Sequence, residues 1–275
     1  MINLVPDLKI CQEARKWKNK VIQGDCLEVM KDIPDKSIDM ILCDLPYGTT
    51  ACKWDTIIPF ESLWKEYKRI IKDNGAIVLT ASQPFTSALV MSNPDMFRYE
   101  LVWEKERPTN IMFMKKQIGK VHENILIFYK HQPTYNPIME KRDNPTIAVY
   151  GKDTKGGDSK THKNQRLRYS EGYNRFVKYP RSVIKINRDT LKGSVHPTQK
   201  PVALFEYLIK TYTSEGDVVL DNCAGSFTTA IAAENLKRNW ICIEKEAEYC
   251  AIGEKRIKEN RERLLNIDNC AKLDI

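Results

Sequence analysis

Apolar positions along the chain switch repeatedly between short continuous runs and a three-to-four-residue spacing, which predicts strands alternating with helices. Val21-Ile22 and residues 38–43 read as buried strands. Phe60, Leu63, Trp64, Tyr67, Ile70 and Ile71 then recur on one helical face, and Asp73-Asn74-Gly75 turns the chain into a strand at 76–80. Residues 99–103 and 124–129 are further strand candidates. Past residue 195 the alternation resumes. Pro201 sits where proline is tolerated at a helix start, and Val202, Leu204, Phe205, Leu208, Ile209 and Tyr212 make that helix's apolar face. A strand at 218–221, a helix from about 228 to 236, a strand at 240–244 and a charged helix from about 247 to 265 follow. No internal repeat is present, and neither the first 18 residues nor those after 265 carry a clear signal. Such alternation builds an α/β domain with a mostly parallel sheet and helices on both faces.

Composition narrows the class. With 42% hydrophobic and 29% charged residues and only 12 Gly and 13 Pro in 275, collagen-like and wholly disordered chains are excluded. No apolar run approaches the roughly 18 residues of a membrane helix, and Pro6 and Asp7 interrupt any signal peptide, so a cytoplasmic protein without membrane contact is expected. No two of the eight cysteines form a C-x-x-C pair, which sets aside zinc and disulfide frameworks; no metal is expected. Cys43 and Cys242, inside apolar runs, read as small core hydrophobes.

The net charge of +8 is concentrated in one place. Residues 131–195 hold 14 Lys or Arg against six acids, which accounts for the whole excess and leaves the remainder neutral. That is the pattern of a polyanion-contacting element on a neutral body, with nucleic acid the leading partner. Arg166, Arg168, Tyr169, Arg175, Phe176, Lys178, Tyr179 and Arg181 interleave cations with aromatics, a mix suited to phosphate contacts and stacking. A solvated loop is the competing reading, since Gly156-Gly157 and the polar residues 152–165 look mobile. The expected organisation is a first half at 1–130, a basic insertion at 131–195 and a second half at 196–275.

Two motifs carry chemistry. Asp44-Leu45-Pro46-Tyr47-Gly48 follows the strand at 38–43, at its carboxyl end, where open α/β sheets bind ligands. Tyr47 can stack on a planar base, and Asp44 with a neighbouring backbone carbonyl can accept both hydrogens of an exocyclic amine. Asp and Pro also form ordinary strand-ending turns. Asp221-Asn222-Cys223-Ala224-Gly225-Ser226 follows another strand and opens a helix, and Glu244 ends the next strand; this pair reads as a nucleoside-binding βαβ unit or as a structural turn with an unrelated acid.

Together with Gly24-Asp25-Cys26-Leu27, His122-Glu123-Asn124-Ile125-Leu126 and His196-Pro197-Thr198-Gln199-Lys200-Pro201, these motifs stand in the order of the β group of amino-directed DNA methyltransferases, which the chain resembles over nearly its whole length. The resemblance implies a Rossmann-like S-adenosylmethionine-dependent methyltransferase fold with a circularly permuted motif order and an inserted target-recognition region. It implies methyl transfer from S-adenosyl-L-methionine to adenine N6 in double-stranded DNA, by base flipping and direct in-line attack. N4-cytosine transfer and a catalytically silent DNA-binding subunit are the alternatives. Asp44, Leu45, Pro46 and Tyr47 would be the catalytic tetrad, with Asp44 and the Leu45 carbonyl on the target amine and Tyr47 stacked on the flipped base. Asp25 and Cys26 would contact the cofactor adenine, Glu244 its ribose, and Asp221, Asn222, Cys223, Ala224, Gly225 and Ser226 its methionine part, with Asp44 also among the cofactor-binding residues. Thr198 and Lys200 would help enclose its amino-acid end. His122 and His196 read as structural. The basic segment, with Arg166, Arg168, Tyr169, Arg175, Lys178 and Arg181, would bind DNA, and a homodimer is among the assemblies the group forms. Two departures stand out: Leu45 replaces the usual Pro, and Phe227 replaces a Gly, so Phe227 is expected to avoid positive φ.

Overall fold

The computed structural model describes residues 16–49, 52, 55–142, 176–189 and 199–273. Its strands are β1 (Lys20–Gln23), β2 (Ile38–Asp44), β3 (Ile71–Ala81), β4 (Phe97–Glu104), β5 (His122–Phe128), β6 (Glu140–Lys141), β7 (Val177–Lys178), β8 (Val183–Lys185), β9 (Val218–Asp221) and β10 (Asn239–Glu244). Its α-helices are α1 (Cys26–Lys31), α2 (Phe60–Ile70), α3 (Phe85–Ser92), α4 (Val202–Tyr212), α5 (Thr228–Asn235) and α6 (Ala247–Leu273).

Eight strands form one sheet in the order β1-β10-β9-β2-β3-β5-β4-β8. Only β5 pairs antiparallel with its neighbours, so the sheet is mostly parallel, in the manner of a Rossmann-like fold. Strand side chains alternate between two cores. Ile41, Cys43, Ile77, Leu79, Leu126 and Leu220 face a layer containing Leu63, Trp64, Tyr67 and Ile70 of α2. Met40, Leu42, Val78, Ile127, Val219 and Cys242 face Leu204, Leu208 and Ile209 of α4 and Ala230 of α5. Covering both faces is what the continuous apolar runs require.

Helix α2 forms because its apolar residues recur every three or four positions; burying each large side chain contributes roughly 1.5–3 kcal/mol. It stops at Ile70, one residue before the expected end, since Ile71 turns extended and pairs with Ile38. Met40 then pairs with Ala76, so residues 72–75 bulge opposite Asp39 alone. The expected Asp73-Asn74-Gly75 turn is this bulge. A Cβ on Gly75 would lie 2.7 Å from the Ile71 side chain and 2.9 Å from the Asp39 carbonyl, so glycine is needed there. Helices α1 and α3, six and eight residues long, are too short to show a period. Helix α6 continues past 265 to Leu273.

Residues Pro137–Arg181 make a compact unit of their own, narrower than the 131–195 segment that the charge marks. In it β6 and β7 pair antiparallel, and Arg142 donates to the Val177 carbonyl at 2.9 Å. Strand β8, although within 131–195, belongs to the main sheet through its parallel pairing with β4.

Candidate active site

The carboxyl ends of β1, β2, β9 and β10 open into one cavity of about 970 Å³. Its lining brings together Asp25 and Cys26, the tetrad Asp44 to Tyr47, the turn Asp221 to Ser226, Glu244, and Lys200. Parallel strands deliver all of these but Lys200 to one edge, and the two sequence motifs, 177 residues apart, meet because β2 pairs directly with β9.

Asp44 is held from both sides. Its Oδ1 accepts hydrogen bonds from the Tyr47 hydroxyl at 2.7 Å and from the Thr80 hydroxyl, and its Oδ2 accepts from Lys200 Nζ at 2.6 Å. Lys200 is 7% exposed, and its Nζ also lies 3.3 Å from Glu123 Oε2, an ionic contact; Glu123 Oε1 accepts in turn from Lys105. The four groups form a buried chain of alternating charge. Burial alone would lower the Lys200 ammonium, but the carboxylates of Asp44 and Glu123 outweigh it and hold the pKa above its ordinary value. For Glu123 burial pushes up and the two lysines pull further down, so its carboxyl stays below the usual range. Lys105 is lowered, chiefly by burial. Burial, then the charges of Asp44 and Glu123, push the Tyr47 phenol well up, so it serves as a neutral donor. The Tyr47 ring stacks on Phe85 with centroids 5.2 Å apart. Leu45 is 4% exposed and packs into the core, which accounts for an aliphatic residue in place of Pro.

The turn after β9 is pinned by carboxylates. Asp221 Oδ1 accepts from the Cys223 amide at 3.1 Å and Oδ2 from the Thr229 hydroxyl at 2.5 Å. Burial raises the Asp221 carboxyl to about 6. Glu244 Oε2 accepts from the Gly225 amide at 2.8 Å and Oε1 from the Glu246 amide at 2.9 Å, tying the ends of β9 and β10 together. Asp25 caps α1 by accepting from the Leu27 amide at 3.0 Å. A hydrogen bond from Cys223 holds the Cys26 thiol below its ordinary pKa.

Phe227 corrects the sequence expectation. It takes φ 61° and ψ 32°, in the left-handed region, and serves as the N-cap of α5. Its ring is fully buried against Gly253, where an added Cβ would fall 2.0 Å from the ring. The conformation costs about 1–2 kcal/mol for a non-glycine residue, and burying the ring returns at least as much.

Several residues that shape the site carried no sequence signal of their own. Thr80, next to last in β3, reaches Asp44 through strand pairing. Asp55 accepts from the Gly48 and Thr49 amides at 2.8 and 2.9 Å, clamping the backbone after the tetrad. Glu123 sits in the His122 to Leu126 motif, whose pattern assigns it no role. Of the predicted DNA contacts, Lys178 and Arg181 lie 3.2 and 3.7 Å from Glu140 Oε2. Arg166, Arg168, Tyr169, Arg175 and Thr198 lie outside the described residues. Among the described residues no group of three or more His, Cys, Asp or Glu is placed to hold a metal, and no helix is long and apolar enough to cross a membrane.

Comparison with known proteins places this geometry. The family model described as DNA methylase, of the N6/N4 type, matches residues 38–255. The DNA adenine methyltransferase YhdJ of Escherichia coli (strain K12) is 30% identical over 255 residues, covering 86% of this chain and 82% of YhdJ. The crystal structure of the M1.HpyAVI–SAM complex superposes with a TM-score of 0.58 at 25% identity, over 86% of this chain and 98% of the other. The cytosine-N4-specific PvuII DNA methyltransferase shares the fold, with a TM-score of 0.61 at 18% identity over 90% and 92% of the two chains.

Proposed function

The chain belongs to the N6/N4 DNA methylase family, with S-adenosylmethionine as cofactor, and on that premise we propose that it methylates the N6 amine of adenine in duplex DNA. One observation carries the proposal. The Asp44 carboxylate is fixed at the end of β2 by Lys200, Tyr47 and Thr80, inside the cavity that the Asp221 to Ser226 turn also lines.

The lining fits the cofactor. A cavity of about 970 Å³ holds a nucleoside-sized ligand with room for a base, and Asp25 and Glu244 offer acceptors for amine and hydroxyl donors. Asp25 and Cys26 would take the adenine end, Glu244 the ribose, and Asp221 to Ser226 with Thr198 the amino-acid end. Lys200, committed to Asp44 and Glu123, serves the tetrad instead. When bound, the cofactor supplies an electrophilic methyl group on a sulfonium sulfur.

The chain's own contribution is to make a poor nucleophile usable. An aromatic amine delocalises its lone pair into the ring; N–H donation to Asp44 and to the Leu45 carbonyl favours a pyramidal nitrogen with that pair free. Lys200 holds Asp44 in place by donating to its Oδ2. Tyr47 presents a ring for the extruded base, whose removal from the duplex costs a few kcal/mol. Residues 131–195, with Arg166, Arg168, Tyr169, Arg175, Lys178 and Arg181, supply target recognition, and Lys178 and Arg181 exchange Glu140 for phosphate. Adenine is favoured over cytosine by an acid at the first tetrad position and by the likeness to YhdJ.

The test is incubation with S-adenosylmethionine and unmethylated duplex DNA, then nucleoside digestion and mass spectrometry. N6-methyladenine is expected. N4-methylcytosine would overturn the choice of base, and the absence of both products would overturn the proposal as a whole.

A further inference from the structure

The loop between β4 and β5 is built unlike a solvated connection. At its tip Ile111, Met112, Phe113 and Met114 are 66, 93, 59 and 48% exposed, and Ile118 is 93% exposed. A run of four consecutive exposed apolar residues is unfavourable in water and marks a contact surface. Residues 107–120 carry Arg107, Lys115, Lys116 and Lys120 and no acid. The base of the loop is fastened: the Thr109 amide donates to the Lys120 carbonyl at 2.9 Å, the Lys120 amide to Asn110 Oδ1 at 2.6 Å, and Asn110 Nδ2 to the Ile118 carbonyl at 3.0 Å. Thr109 and Lys120 line the cavity, and Lys120 Nζ donates to the Ser82 hydroxyl there. A rigid base thus holds an apolar tip with cationic flanks beside the cavity that holds Asp44.

We infer that residues 107–120 form a DNA wedge: the cations take backbone phosphates while Met112 and Phe113 enter the duplex and fill the gap left by the extruded base. The inference rests on the methyltransferase reading and adds a DNA-contacting element outside the 131–195 segment. Extrusion opens a hole in the base stack that apolar side chains occupy well, and a flanking polyanion suits an acid-free loop. A second copy of this chain is the poorer occupant, because two such loops would bring like charges together.

The experiment uses the full chain and a duplex carrying the sequence it methylates, once correctly paired and once with the target base mispaired. A mispaired base leaves the stack with less help. Met112→Ser/Phe113→Ser is expected to methylate the paired duplex roughly tenfold or more slowly, yet to stay within about twofold of the unaltered enzyme on the mispaired one. Cofactor binding by calorimetry is expected to be unchanged, which shows an intact fold. Equal rates on the paired duplex, equal loss on both duplexes, or a changed sedimentation coefficient would overturn the wedge. Absence of methylation by the unaltered chain on any DNA would refute the methyltransferase reading separately. Duplex binding would then decide the loop: Lys115→Gln/Lys116→Gln is expected to reduce the log–log salt slope by about two, and an unchanged slope and affinity would end the inference.

Discussion

Lys200 Nζ lies 2.6 Å from Asp44 Oδ2 and 3.3 Å from Glu123 Oε2, so one buried cation is shared between an acid of β2 and an acid of β5. Strands β2 and β5 flank β3, and the lysine enters from the segment before α4 to neutralise both. Two carboxylates in one buried pocket need such a partner.

Lys200→Met should therefore strip Asp44 of its cationic partner, while Glu123 keeps Lys105. A loss of about 3–5 kcal/mol of stability is expected, with methyl transfer falling by roughly a hundredfold or more as Asp44 loses its fixed position. The raised Lys200 group contributes stability fully below its unfolded value of 10.5 and loses it as pH rises through the higher folded value. The lowered Glu123 group contributes above 4.5 and loses it as pH falls through its lower folded value. The stability gap between the native chain and Lys200→Met should be full near pH 7.5 and narrow below pH ~4.5, read by thermal denaturation.

Asp221→Asn should stabilise while impairing cofactor binding. A buried carboxyl raised from 3.8 to about 6 costs up to roughly 3 kcal/mol at neutral pH, at about 1.4 kcal/mol per pH unit. Because the folded state binds the extra proton between those values, native stability from this group falls as pH rises from about 4 to 6. The melting-temperature advantage of Asp221→Asn should grow over that window; an advantage independent of pH would contradict the burial account.

Gly253→Ala tests the left-handed Phe227. A methyl group 2.0 Å from the Phe227 ring must displace it or α6. Denaturant unfolding should show a loss of about 1–3 kcal/mol. The α5 N-terminus should loosen with it, weakening cofactor binding as measured by calorimetry.

Neutralising Arg166, Arg168 and Arg175 together should weaken duplex binding and lower its salt slope by up to about three. Cofactor affinity should not change. Equal weakening of both would assign those residues to the fold instead of to DNA.

Much of this molecule could be read from the chain. The runs at 38–43, 76–80 and 218–221 are central strands buried on both faces, so their apolar residues are continuous, and that continuity alone puts the tetrad and the Asp221 turn at strand ends. Strand β8 could not be seen, because three residues carry no period. The meeting of Lys200 with Asp44 spans 156 positions and depends on sheet order, which local pattern does not encode. Thr80 acts through its hydroxyl and Asp55 through its carboxylate, and a single polar residue looks the same in a site as on a surface. Phe227 shows the opposite limit: its backbone preference was legible, but the Gly253 gap that receives its ring belongs to another helix.

The central claim is that Asp44 engages the target amine and is not needed to hold the cofactor. The direct measurement compares the native chain with Asp44→Ala for S-adenosylmethionine binding by calorimetry and for methyl incorporation into duplex DNA. Cofactor affinity within a few-fold of native, with transfer reduced by roughly a thousandfold, is the expected result. Substantial transfer by Asp44→Ala would contradict the claim.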